Sequence, residues 1–196
     1  MIKAIIFDAG GVIVNYSRNG FELQANRLGI STEKLVEFYK LHHKVLGKNE
    51  LKTSDYCKLF EKSFRIKPKL FIDTWKKAYS EVAVYDKDMM KLVEKLKTKY
   101  KVAMLSNIVK VNAGIHKKSG FYKNFCCAVL SCDVGLAKPD KKIFELIIKK
   151  LKLNADECVF VDNLEENVLA AKEMGFRTIL FADKAKAMAE LNKLLN

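Results

Sequence analysis

The chain is 196 residues long, 49% hydrophobic and 30% charged, with 2 Pro and 9 Gly; this composition can bury a sizeable core and excludes collagen-like, low-complexity and disordered classes. No apolar run nears the roughly 20 residues that span a bilayer, and the opening MIKAIIFDAGG is too short for a secretory leader and has no small-residue cleavage site, so a cytoplasmic protein with no membrane partner is expected. Lys and Arg number 36 against 23 Asp and Glu, a net charge of +13; the surplus favours anionic partners such as phosphorylated metabolites, nucleic acid or acidic surfaces, but basic pairs scattered along the chain, with no basic stripe among aromatics, read first as a Lys-rich solvated surface.

In chain order, residues 2–7 (IKAIIF) read as a buried strand that Asp8 ends and Gly10-Gly11 turn. From about 20 to 82 apolar residues recur at helical spacing, as in Leu35, Phe38 and Tyr39, then Tyr56, Leu59, Phe60 and Phe64, then Leu70, Trp75 and Tyr79. Ser31, Ser54 and Pro68 stand where helix starts belong, so four helices and no strand are predicted there. Beyond 86, helix 87–98 precedes strand 101–106, and a helix near 110–118 precedes strand 126–131. Helix 140–151, strand 157–161, helix 165–174 (stopped by Gly175), strand 177–181 and helix 184–194 follow. Apolar strands alternating with helices mean a parallel sheet covered on both faces. The expected fold is therefore a Rossmann-like three-layer α/β/α core, residues 1–16 and 86–196, with a helical cap, 17–85, inserted after the first strand. The five cysteines are odd in number and include no Cys-x-x-Cys pair. They are expected to be reduced, with Cys126, Cys127 and Cys158 in buried strands. His42, His43 and His116 belong to no motif and are expected on the surface or as satisfied core residues.

In such sheets ligands bind beyond the carboxyl ends of the strands. That rim collects Asp8 after the first strand, Ser106 and Asn107 after the second, Lys138 in the loop after the third, and Asp162 and Asn163 after the fourth, with Glu166 further on. On the segments FDAGGVIVN (7–15), MLSN (104–107), GLAKPD (135–140) and VFVDNLEENV (159–168), the chain resembles the haloacid dehalogenase-like hydrolases, in particular small sugar-phosphate phosphatases and the phosphatase domain of soluble epoxide hydrolase. The resemblance implies a capped phosphatase whose partner is a small phosphorylated metabolite and not nucleic acid, in which Asp8 is the nucleophile and takes up the phosphoryl group. Lys138 and Ser106 would assist it. Ala9, Gly10, Gly11, Ser106, Asn107 and Lys138 would cradle the phosphate, and Mg²⁺ would sit on Asp8, Gly10, Asn163 and Asp162.

Two positions depart from that pattern. Gly10 stands where such phosphatases usually carry a second Asp that protonates the leaving group, help typically worth about 10²–10⁴-fold. Asn163 stands where a second acid usually meets the metal, so weaker metal affinity is expected. Asn15 and Tyr16 lie near in sequence, but spacing alone does not place their side chains. Three other functions are compatible with these residues: a catalytically weakened phosphate-binding or interaction protein, a phosphotransferase or mutase, and a dehalogenase using Asp8 on carbon.

Overall fold

The structure is a computed structural model and describes residues 1–17 and 19–195. Five strands, β1 (Ala4–Phe7), β4 (Lys101–Ser106), β5 (Cys127–Leu130), β6 (Cys158–Asp162) and β7 (Arg177–Leu180), form one sheet in the order β5-β4-β1-β6-β7, parallel throughout. β1 takes the centre because all four of its residues are apolar and must be covered on both sides. The two-residue period of a strand then splits each one between two cores. Ile5, Phe7, Met104 and Val161 pack on one face with α5 (Lys87–Leu96) and α10 (Lys184–Leu195). Ile6, Leu105 and Phe160 pack on the other with α8 (Lys141–Leu151) and α9 (Glu165–Glu173). This is the expected α/β/α layering.

The helical block consists of α1 (Gly20–Leu28), α2 (Thr32–Gly47), α3 (Thr53–Phe64) and α4 (Pro68–Val82), the four helices expected between 20 and 82. Ser31 caps α2 through the Lys34 N–H, and Pro68 opens α4. Ser54 does not cap: α3 already starts at Thr53. Phe38, Tyr56, Phe60, Phe71 and Trp75 give the block a core of its own, with the Phe60 and Phe71 rings stacked at 3.8 Å.

Two short strands went unforeseen. β2 (Val14–Tyr16) and β3 (Ala83–Tyr85) pair antiparallel where the chain enters and leaves the block. Three residues are too few for a readable period, and β3 lies in the stretch assigned to the cap. The block also leans on α6 (Lys110–Lys118) of the core. The Trp75 indole N–H donates to Asn112 at 3.1 Å, the Tyr79 hydroxyl meets His116 Nε2 at 2.8 Å, and Ser131, at the start of the short α7 (Ser131–Val134), donates to the Gly47 carbonyl at 2.8 Å. His116 is thus a satisfied core residue. The cysteines are free as expected, but Cys126 is exposed and precedes β5, which starts one residue later than its apolar run suggests.

Candidate active site

Asp8 follows β1, and its backbone N–H donates to the Val161 carbonyl at 2.9 Å, so the sheet itself aims the residue. Lys138 reaches the same point from 130 residues downstream. Its ammonium has three N–H groups and finds three acceptors: Asp8 Oδ1 at 2.7 Å, Asp162 Oδ2 at 2.6 Å and the Leu105 carbonyl at 2.9 Å. The ring of Phe160 lies 5.5 Å below it. A buried ammonium is tolerable only because it is fully paired.

Asp162 is completely buried, and protein donors take both of its oxygens. Oδ1 accepts from the Leu164 N–H at 2.8 Å, Oδ2 from Lys138, and both from the Asn167 amide at 3.1 Å. Its place is therefore beside Lys138 as an orienting group, not among the metal donors where the sequence suggested it. Asn107 is likewise diverted. Its side-chain amide brackets the Lys138 backbone, donating to the carbonyl at 2.8 Å and accepting from the N–H at 2.9 Å. That clamp positions the lysine. Ser106 is buried and lines the cavity above Asp8.

The glycine turn divides its work. The Ala9 N–H favours the Asp8 carboxylate, whereas the Gly11 N–H is spent on the Val14 carbonyl at 2.9 Å and drops out of the expected cradle. Among the described residues no protein acceptor takes the Gly10 N–H, which leaves it for the cavity. Gly11 has φ +79°, and a Cβ there would stand 2.5 Å from the Asn163 amide nitrogen, so only glycine lets Asn163 close over the turn.

A Cβ at Gly10 would lie 3.4 Å from the Tyr16 hydroxyl. Tyr16 therefore puts an O–H beside the position whose acid is missing. Its pKa is raised, first by burial, with the Asp8 charge acting in the same direction and the neighbouring Tyr79 hydroxyl against it, so the phenol keeps its proton at neutral pH. The Asp8 carboxyl is also pushed above its ordinary value. Burial dominates, Asp162 adds to it, and Lys138 only partly pulls it back. The expectation that Lys138 keeps Asp8 ionised is thus opposed by burial, because one ammonium serves two carboxylates.

That imbalance suits a cation. With both acids ionised the cluster carries one net negative charge. Asp8, the Gly10 carbonyl and the Asn163 amide oxygen are the oxygen donors at its mouth, a set that fits Mg²⁺ completed by water and phosphate oxygens. Asn167, whose side chain holds Asp162, lines the same cavity, and its Oδ1 is buried without a hydrogen-bond partner. Among the described residues no group of three or more His, Cys, Asp or Glu could hold a metal ion, so any such site combines the Asp8 carboxylate with neutral oxygens. The cavity measures about 850 Å³, and Tyr39, His43, Lys44 and Lys48 of the helical block overhang it.

The roles of Tyr16 and Asn167 were not read from sequence. Asn167 had little signal, because α9 has only a weak apolar stripe and the burial of Asn167 beside Val168 and Ala171 does not show in its pattern. Tyr16 had none, because its hydroxyl acts across a turn.

The model of a family described as haloacid dehalogenase-like hydrolase matches residues 2–175. The chain is 27% identical over 215 aligned positions, 100% of both proteins, to D-ribitol-5-phosphate phosphatase of Bacteroides thetaiotaomicron. It is 38% identical over 72 residues to bifunctional epoxide hydrolase 2 of Rattus norvegicus, a match spanning 37% of this chain and 13% of that protein's length. A crystal structure of a family enzyme from Bacteroides thetaiotaomicron, in complex with magnesium and inorganic phosphate, superposes with a TM-score of 0.73 at 22% identity, covering 95% of this chain and 98% of the other. Among the described residues no helix is long and apolar enough to cross a membrane.

Proposed function

This chain belongs to the haloacid dehalogenase-like hydrolases, and on that premise we propose that it is a Mg²⁺-dependent phosphatase that hydrolyses a small phosphate monoester through a phospho-Asp8 intermediate. The observation that carries the reading is the Lys138 ammonium lying 2.7 Å from Asp8 and 2.6 Å from Asp162 at the floor of a cavity. A phosphate dianion approaching a carboxylate is repelled unless fixed positive charge and aimed N–H and O–H donors meet it. Lys138 supplies the fixed charge, its three N–H groups being held by Asp8, Asp162 and the Leu105 carbonyl; the Ser106 hydroxyl and the Gly10 N–H are the donors, and Lys44 and Lys48 attract the anion from above. Mg²⁺, when held by Asp8, Gly10 and Asn163, supplies the remaining positive charge.

In the first step an Asp8 oxygen forms a bond to phosphorus and the ester P–O bond breaks. The departing alkoxide takes the Tyr16 proton, a downhill transfer because an alkoxide is the stronger base. Water then attacks the phosphoryl group, gives a proton back to the Tyr16 phenolate and releases phosphate and Asp8. The relative that acts on D-ribitol 5-phosphate and the neighbour holding magnesium and phosphate support the class of chemistry. The test is hydrolysis of a panel of phosphomonoesters with Mg²⁺ present. Asp8→Asn is expected to lower the rate at least about 10³-fold. Equal rates for variant and wild type would instead favour a phosphate-binding protein.

A further inference from the structure

A second cavity, of about 310 Å³ and open on one side, lies between the helical block, Tyr16 of β2 and Asn112 of α6. Leu35, Tyr56, Phe71, Trp75 and Val82 form its walls. It shares Tyr16, Tyr39, Tyr79 and Asn112 with the polar cavity above Asp8, so the two spaces meet where Tyr16 stands, half exposed. Most of the surface lining this second space is apolar, and several of its polar groups are already occupied. Gln24 donates to the Phe71 carbonyl at 3.3 Å, Asn112 accepts from Trp75, and Tyr79 is paired with His116. The Tyr39 and Tyr56 hydroxyls and the Asn19 and Asn112 side-chain amides are the further polar groups of its lining.

We infer that this cavity holds the alcohol portion of the substrate, and that the substrate is a phosphate monoester of an apolar, ring-bearing alcohol and not of a polyol. The assignment as a substrate site rests on the hydrolytic reading above. An apolar cavity of about 150 Å³ admits one benzene ring; about twice that volume takes about ten to twelve carbon atoms. Each methylene moved from water into such walls gains about fourfold in affinity. A polyol would instead strip water from several hydroxyls against Leu35, Phe71 and Val82 and find only scattered partners, at Tyr39, Tyr56, Asn19 and Asn112, in exchange. The Ser106 hydroxyl and the Gly10 N–H then hold the anionic head beside the Lys138 charge, Tyr16 lies beside the ester oxygen at the junction, and the ring enters the aromatic walls.

Trp75, the single tryptophan of the chain, lines the cavity and reports on it directly. The experiment compares kcat/KM for 2-cyclohexylethyl phosphate and D-ribitol 5-phosphate, both esters of primary alcohols, and titrates free 2-cyclohexylethanol while following Trp75 fluorescence. The expected result is a preference of at least about thirtyfold for the cyclohexyl ester and a saturable fluorescence change. Ala78→Phe, which fills the cavity, should reduce that preference at least tenfold and abolish the fluorescence response. Hydrolysis of the ribitol ester equal to or better than the cyclohexyl ester, with no response of Trp75, would overturn the inference and leave the phosphatase reading intact. A Trp75 response with no hydrolysis of either ester would uphold the cavity as an apolar-alcohol site and overturn the phosphatase reading. Silence in both assays overturns both.

Discussion

At the strand ends, Asp8, Lys138 and Asp162 are buried charges held in place by one another and by the Asn107 and Asn167 amides. In the helical block, Tyr56, Phe71 and Trp75 are rings packed around a mostly apolar space. The first region takes its geometry from strands, which place a side chain within a fraction of an ångström because each end is pinned by sheet hydrogen bonds. The second takes its geometry from packing, which sets volume and polarity but no single directional contact. Recognition of a phosphate needs the former and accommodation of an organic group the latter. The Tyr16–Tyr79–His116 side chains lie on the seam between them.

The sharpest way to break the polar region is Lys138→Met. It leaves two buried carboxylates without a counter-ion, and loss of one partner from a buried pair costs about 3–5 kcal/mol. Urea unfolding at pH 7 should show that loss, and hydrolysis should fall below detection. A loss under about 1 kcal/mol would mean the cluster is solvated.

The seam responds to pH. Burial pushes the His116 imidazole down to about 4 from 6.5. Between those values the unfolded chain binds the proton and the folded chain does not. The associated stability is complete above about pH 6.5 and drains away as pH falls toward 4, by on the order of 3 kcal/mol in all. Urea midpoints measured from pH 7 to 4.5 should show this slope, and His116→Gln should flatten it.

Tyr16→Phe separates the two regions functionally. It keeps the ring and removes the hydroxyl beside Gly10, so kcat should drop about 10²-fold on alkyl esters. The loss should shrink on aryl esters, whose leaving groups need no proton. An equal loss on both ester types would assign Tyr16 to packing. The smallest expected effect is at the metal donors. Asn163→Asp adds a negative charge at the cavity mouth and should tighten Mg²⁺ by about tenfold in a calorimetric titration; unchanged affinity would place Asn163 outside the metal's reach.

Much of this was legible in the residue order. Apolar runs ending in Asp8, Ser106 and Asp162 declared a parallel sheet and its functional rim, because strand burial and strand termination are local properties. The helical periodicity of 20–82 declared the block. The β2–β3 pair was not legible, since three-residue strands have no period. The exposure of Cys126 was missed because an apolar run does not show where pairing begins.

The residue order by itself established which chemical groups stand at the strand ends and that a helical insertion covers them, since hydrophobic pattern and chain punctuation act over a few residues. Only the folded chain decided what those groups do: that Asp162 and Asn107 serve Lys138, that Gly11 yields its N–H to a turn, that Tyr16 fills in beside Gly10, and that the block borders an apolar space. Those outcomes depend on distances between segments remote in sequence, which tertiary packing sets and local pattern does not encode.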